Sequence, residues 1–549
     1  MADPLSIPEV ASLISNQLPS RILFLRIQVS RRWHRVFLPC LWRRVYLTSA
    51  EIGSKDSSQI VSTLTPHADL IQDLSIRDIK ETSDLSYLQQ HLYFPHLQSL
   101  KIGFHDPSGI RKARRAAGDF VRRHGRELWS LTIVNMRDMG RPLALKGGPS
   151  PVLTNWDILE GCCSTSTDQH LTRLTIEDAA FSLEEMNEAT GRLLMQLNTL
   201  VLIKVHLGRP SLMIEPWERQ PEWHRRLTTR SRIRHLVMEG CFPAPDEYVL
   251  LLECQEIRSL KWTCVGLAAQ MLDPPFAKGL RERNWLYLES LTLKMYHLGD
   301  ERLAEIIVAI GPLRDLNMEQ SSFGVLSAMA LLESEGGKHR TKLETLSLRG
   351  SMHLEGSMVQ RFLCEFPNLM KIHAHRISVL DMERDPRPWV CRKLREFRGG
   401  VVVRENSVIP SKEDLTSLSP SPDAVPLVIP PSTEFLKRLA ELTDLRVLSI
   451  ELGRHAQGQA RYEHQQLRLS CGLDNLKTLR AMKESWLSEE TEQNIEIEEA
   501  EWMTKNWPKL DTIDITCAHR SRVVKRTLEC HFTNQGVDVV GVCTFQGHQ

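Results

Sequence analysis

The 549-residue sequence lacks the signatures that catalysis, export or membrane insertion would need. It has no phosphate-cradling glycine loop, no G-x-S-x-G elbow and no H-E-x-x-H pair, so no enzyme activity, cofactor or metal is expected. No apolar run approaches the roughly 18 residues of a membrane-spanning helix. Met1-Ala2-Asp3-Pro4 has no basic lead into an apolar stretch, so neither an export signal nor a membrane partner is expected. The 12 cysteines include no C-x-x-C pair. Scattered in a large chain without an export signal, they read as reduced, buried thiols, and the expected compartment is cytoplasmic or nuclear. An excess of one charge is missing as well. The 69 basic and 68 acidic residues leave a net charge of +1, which offers no general attraction for nucleic acid or anionic lipid.

What remains is the balance of a folded protein, 42% apolar and 25% charged, in a chain too long for one typical domain. Several domains or one repeat array can fill that length. The sequence favours the array. A unit of apolar-x-x-apolar-x-apolar recurs in 15 copies whose starts lie 24 to 51 residues apart. Clear copies are Ile71-Leu74-Ile76, Leu100 and Ile102 after Leu97, Leu131 and Ile133 after Leu128, Leu291 and Leu293 after Leu288, and Leu343-Leu346-Leu348. Later copies include Leu394-Phe397-Gly399, Leu445-Leu448-Ile450, Leu476-Leu479-Ala481 and Leu510-Ile513-Ile515. Three copies are preceded by an aromatic residue and proline: Phe94-Pro95, Phe366-Pro367 and Trp507-Pro508. Proline there ends a helix and hands the chain to an extended segment.

In a strand alternate side chains share a face, so the second and third apolar residues of each copy bury together. Helix-spaced apolar sets lie between copies: Leu303, Ile306, Ile307 and Ile310; Phe362, Leu363 and Phe366; Phe435, Leu436, Leu439 and Leu442. One strand and one helix cannot bury such faces alone, whereas stacked copies can. This pattern resembles the leucine-rich-repeat family from about Ile60 onward, without the regular Asn or Cys after the third apolar position. The resemblance implies an α/β leucine-rich-repeat solenoid over 48–549, with parallel strands on the concave face and helices on the convex face. Exposed loop insertions are expected at 137–170, which holds Cys162-Cys163, and at 404–434, rich in proline and serine.

Residues 1–47 have a different pattern. Ser6-Ile7-Pro8-Glu9 starts a helix, with Val10, Leu13, Ile14 and Leu18 as one stripe. Ile22, Leu25 and Val29 form a second face, and Trp33 to Leu41 a third helix ending near Trp42. So short a segment cannot bury this apolar surface unaided. Ile7-Pro8-Glu9-Val10, Val29-Ser30-Arg31-Arg32-Trp33 and Leu41-Trp42 resemble an F-box, with Arg21 and Ser30 where that family has acidic or polar and cysteine residues. F-box and leucine-rich repeats together resemble substrate receptors of SCF-type ubiquitin ligases, notably fungal F-box proteins. That resemblance implies a Skp-type adaptor, with its cullin, docking on Pro8, Val10, Leu13, Ile14, Leu18, Val29 and Trp33, and a protein substrate on the repeats. A helical cap on the first repeat is the plainer alternative, and a stand-alone repeat scaffold or inhibitor without ligase association is the alternative function.

On the concave face, the substrate-binding candidates are Lys101, Glu177, Glu239, Lys261, Lys294, Glu319, Arg349, His373, His375 and Glu451. Mixed charge on a broad surface suits protein recognition. His373-x-His375 brings two imidazoles but no third ligand, so no metal is expected. Arg111 to Arg126 reads as a solvated outer helix, with Phe120 and Trp129 packed inward and no aromatic left to stack on bases; binding of RNA there is a remote third reading. Glu489 to Glu501 reads as a helix with its glutamates in water.

Overall fold

The computed structural model describes residues 28–52, 57–79, 82–104, 110–135, 156–163, 171–178, 188–207, 231–241, 254–264, 285–294, 299–351, 353–405, 433–450, 462–464, 467–487, 495–515 and 521–540, together with the single positions 13, 14, 18, 22, 24, 25, 180, 181 and 251. The chain divides into two compact units, Met1–Ala268 and Ala269–Gln549.

The first unit opens on helix α1 (Arg31–Trp42), capped by Ser30, whose side chain accepts a hydrogen bond from the Trp33 backbone N–H. Apart from a two-stranded pair, Ala180–Phe181 with His206–Leu207, eight strands of one sheet follow among the described residues: β1 (Arg44–Thr48), β2 (Asp73–Ile79), β3 (Ser99–Phe104), β4 (Ser130–Asn135), β5 (Arg173–Glu177), β6 (Thr199–Ile203), β7 (His235–Cys241) and β8 (Ser259–Cys264). Each pairs in parallel with the next in chain order. Helices run between the strands, among them α2 (Ile110–His124) and α3 (Trp156–Cys163). Parallel neighbours in chain order, with helical crossings, are the topology of a leucine-rich-repeat solenoid.

The second unit repeats the scheme. Strands β9 (Ser290–Lys294), β10 (Asp315–Asn317), β11 (Thr345–Ser347), β12 (Lys371–Ser378), β13 (Glu396–Glu405) and β14 (Val447–Ile450) are parallel in chain order. A short β15 (Tyr462–His464) pairs antiparallel with the end of β13. Then β16 (Glu484–Leu487), β17 (Thr512–Asp514) and β18 (Asp538–Val540) resume the parallel order. Its helices include α4 (Asp300–Ala309), α5 (Val325–Glu333), α6 (Gly356–Glu365), α7 (Glu434–Ala440) and α8 (Ile497–Asn506).

The register explains the repeat. Leu74, Leu100, Leu131, Leu174, Leu200 and Leu236 stand opposite one another across successive strands and are buried. Leu291, Leu316, Leu346, Ile372, Phe397 and Leu448 do the same in the second unit. Burying one such side chain stabilises by about 1.5–3 kcal/mol, so a ladder of them dominates the energetics of each unit. Phe94, Phe366 and Trp507, the aromatics before proline, are buried too.

Several expectations need correction. Leu476-Leu479-Ala481 is not a strand: Leu473–Thr478 is a 3-10 turn, and β16 starts at Glu484. Ser485 stands there between Leu448 and Ile513, wholly buried, so the leucine pattern is broken at its middle position. Cys162-Cys163 belongs to helix α3 rather than a loop, because Ile158, Leu159 and Cys162 bury one face of it. Most of the 404–434 insertion lies outside the described residues; its ends belong to β13 and α7. Trp129 is 44% exposed, whereas Phe120 is buried as expected. In α8, Glu499 is 5% exposed, forming a capping box with Glu496 and accepting from the Leu469 N–H at 3.2 Å.

The missing Asn is replaced in two ways. Buried Ser321 and Ser351 both donate to the Met318 carbonyl, at 2.7 and 3.1 Å. In addition, the residue two places after the third apolar position turns left-handed in coil after coil: Asp78 (φ 59), Asp178 (54), Lys204 (51), Gly240 (65), Gln320 (57) and Gly350 (77). The turn falls at or near the end of each of these six strands.

Candidate protein-recognition face

Residues alternate with the buried ladder, so the intervening side chains form rows on the strand face of each unit. In the first unit, Ser75, Lys101 and Thr132 are in register, and Lys101 is half-buried. Glu177 stands between Val134 and Ile203. Lys261 donates to Glu239 at 2.8 Å across neighbouring strands.

In the second unit five coils join in one network. Lys294 Nζ donates to Glu319 Oε2 at 2.5 Å, and Ser347 Oγ donates to Glu319 Oε1 at 2.6 Å. His373 Nδ1 lies 3.2 Å from Ser347 Oγ and 3.9 Å from Glu319 Oε1. On its other side His373 Nε2 donates to Glu396 Oε1 at 2.9 Å. Arg398 Nε donates to the same oxygen at 2.6 Å, and Lys371 Nζ lies 3.5 Å from Glu396 Oε2. The ladder places these groups: His373 is opposite Ser347 on one side and Arg398 on the other.

The electrostatics follow from those contacts. The hydrogen bond with His373 is foremost in holding the Glu319 carboxyl far below the usual carboxylate range, against the cost of burial. The same imidazole, with Arg398, brings Glu396 down to about 2. Burial works against charge on His373, but its bonds to Glu319 and Glu396 outweigh it and raise the imidazole's pKa. The result is a polar surface fixed before any partner arrives, with a rigidity that favours specific protein contacts.

His373 and His375 part company. The alternation of β12 breaks between Ala374 and His375, both buried, where the register shifts against β13. His375 is therefore 8% exposed and Arg376 is the half-exposed residue instead. Among the described residues no group of three or more potential metal ligands gathers. Arg349 is exposed just past the end of β11, and Glu451 lies outside the described residues. Sequence reasoning missed Ser347, Lys371, Glu396 and Arg398. Glu396 and Arg398 flank Phe397 in the outward places of a weak copy, which was the available signal.

At the amino terminus Leu13 is 67% and Val29 64% exposed, and Ile14 is exposed too. Leu18 is half-buried, and Trp33 is half-buried with its ring edge-on to Phe37 at 5.6 Å. Pro8 and Val10 lie outside the described residues. Helix α1 packs on the first coil through Phe37, and β1 begins at Arg44, within the 1–47 segment. Among the described residues no helix is long and apolar enough to cross a membrane.

No protein-family model matches the sequence, and no curated protein matches it. Of solved structures, the chain is similar to the Rad7 and Elc1 complex of yeast, at 13% identity and a TM-score of 0.33, over 68% of this chain and 88% of that one. It is similar also to the mouse RP105/MD-1 complex, at 14% identity and a TM-score of 0.35, over 80% and 70%. The repeat architecture is carried by the strand order and registers of the chain itself.

Proposed function

We propose that the chain is a non-catalytic substrate-recognition subunit of an SCF-type ubiquitin ligase. Its amino-terminal segment would dock on a Skp-type adaptor and so reach the cullin, while the strand faces of the repeats hold a protein substrate. The observation that carries the reading is the exposure of Leu13, Phe24, Leu25 and Val29, from 53% to 67%, in a segment that resembles an F-box. Apolar side chains left exposed within one short segment favour a protein partner that covers them. The mixed-charge network around His373 supports the second half of the proposal, because preset charge selects partners.

Co-purification from cells tests it. The full chain should bring down adaptor and cullin, and Leu13→Asp should weaken both. Deleting residues 1–30 should abolish both while leaving α1 on the first coil. A wild-type chain that recovers neither adaptor nor cullin would be a stand-alone scaffold, and the ligase reading would fall.

A further inference from the structure

On the arginine-rich helix α2 three arginines are buried or engaged by other groups of the chain. Arg114 is 3% exposed, Arg122 pairs with Asp119 at 2.6 Å, and Arg123 donates to the Gln89 carbonyl. A different basic surface lies at the leading edge of the first unit's strands. Backbone bonds define one row of positions just before the strands: Thr172 N–H donates to Trp129, Asn198 to Thr172, Arg234 to Asn198 and Arg258 to Arg234, at 2.8 to 3.0 Å. Trp129, Arg234 and Arg258 thus share a line across β4 to β8. Arg126, Arg173 and Arg232 flank it and are exposed, as are Arg234 and Arg258.

Two features distinguish this edge from an ordinary solvated rim. Arg126, Arg173, Arg232 and Arg234 pair with no carboxylate among the described residues; of the acids at this edge, Glu127 is taken by His96 at 3.3 Å and Glu256 stands two residues before Arg258. Trp129, from which the row runs on in the other direction through Gln98 and Gln72, keeps 44% of its surface exposed although an indole is costly to leave in water. Strands about 4.8 Å apart spread these groups over roughly 19 Å from β4 to β8. Cations in a line track a phosphate backbone, and an exposed indole among them gives a base a face to stack on.

We propose that this edge binds single-stranded nucleic acid. An acidic protein segment could use the cations but has no need of the indole. The net charge of +1 is compatible with this, because attraction comes from a local patch.

Fluorescence anisotropy of the full chain with a labelled oligouridylate of about 12 nucleotides tests the proposal. Binding should weaken steeply with salt. Arg173→Glu with Arg232→Glu and Arg234→Glu should cost tenfold or more and flatten the salt slope, by about 0.7 for each phosphate no longer neutralised. Trp129→Ala should cost about fivefold or more, because the base loses its stacking face. Lys525→Glu in the second unit, set against a single Arg234→Glu that makes the same charge change, should change nothing. Circular dichroism confirms that each variant is folded, and the single Arg234→Gln variant replaces the triple if that one is not. Three outcomes overturn the proposal: no binding by the wild-type chain at low salt, equal weakening by the Lys525 control, or an unaffected Trp129→Ala with polyglutamate competing as well as the oligonucleotide. The last outcome would assign the edge to an acidic protein segment.

Discussion

Asp300 caps a helix that belongs to the next coil: its carboxylate accepts the backbone N–H of Ser327 at 3.0 Å and the Ser327 hydroxyl at 2.5 Å. The N–H groups of Gly324 and Leu326 donate to the same carboxylate at 2.8 Å each. Helix α5 has no side-chain cap of its own, so its free N–H groups are satisfied from α4. Neighbouring coils are thereby coupled through a polar contact as well as through the leucine ladder.

That coupling predicts two losses. Asp300→Ala should destabilise the chain by about 1–2 kcal/mol, the usual worth of a helix cap. Gly324→Ala should also destabilise, because an added Cβ would stand 2.6 Å from Asp300 Oδ2. Chemical denaturation monitors both, and in the double variant the two losses should not add. Full additivity would show that the residues act independently.

The left-handed turns near the strand ends make a contrary prediction. Lys204 holds φ 51, a conformation that costs a non-glycine residue about 1 kcal/mol. Lys204→Gly should therefore leave stability unchanged or raise it, whereas glycine in place of an ordinary strand residue destabilises. Gly350→Ala, at φ 77 and with Gln320 Cγ 3.2 Å from the added methyl, should lower it. Thermal melts decide it: Gly350→Ala should melt lower and Lys204→Gly no lower than the parent chain, and a lowered Lys204→Gly would show that the turn is not strained.

Two buried histidines set the acid limit. His124 Nδ1 accepts from the Phe94 N–H and His339 Nδ1 from the Leu313 N–H, both at 3.2 Å, while His339 Nε2 donates to the Ile307 carbonyl at 3.1 Å. Burial is the main cause that lowers each from 6.5 to about 4. Their folded pKa values lie below the unfolded ones, so their contribution is complete above about pH 6.5 and lost as pH falls toward about 4. Each stands to lose up to about 3 kcal/mol. His339→Gln should flatten the stability profile in that window, and an unchanged profile in urea titrations would refute the assignment.

His373 carries the opposite sign. Its folded pKa is raised, so its contribution is complete below about pH 6.5 and fades as pH rises through the folded value. Glu396, lowered to about 2, loses its share only as the pH falls below about 4.5. His373→Gln should therefore cost more stability near pH 5.5 than near pH 8.5, by about 1 kcal/mol or less because the site is half-exposed. Differential scanning fluorimetry at the two pH values decides it, and an equal cost at both would mean that the imidazole is uncharged in the network.

The periodic apolar residues by themselves determined that this chain stacks strand on strand, because a side chain such as Leu346 has no other way to leave water than against Leu316 and Ile372. They also set the helix faces, as Leu303, Ile306 and Ile307 are buried together in α4. The recurring left-handed turn was hidden because Asp78, Lys204 and Gln320 share a backbone angle and no chemistry. The place of β16 was hidden because Ser485 interrupts the leucines, while the leucines just before it, Leu476 and Leu479, bury themselves in a turn. Only the tertiary structure decided which charges meet. Glu319, His373 and Glu396 come from three coils, and their contacts depend on lateral register, which sequence spacing does not encode. A break of alternation at a single residue then sent His375 inward, since in a strand one step exchanges the two faces.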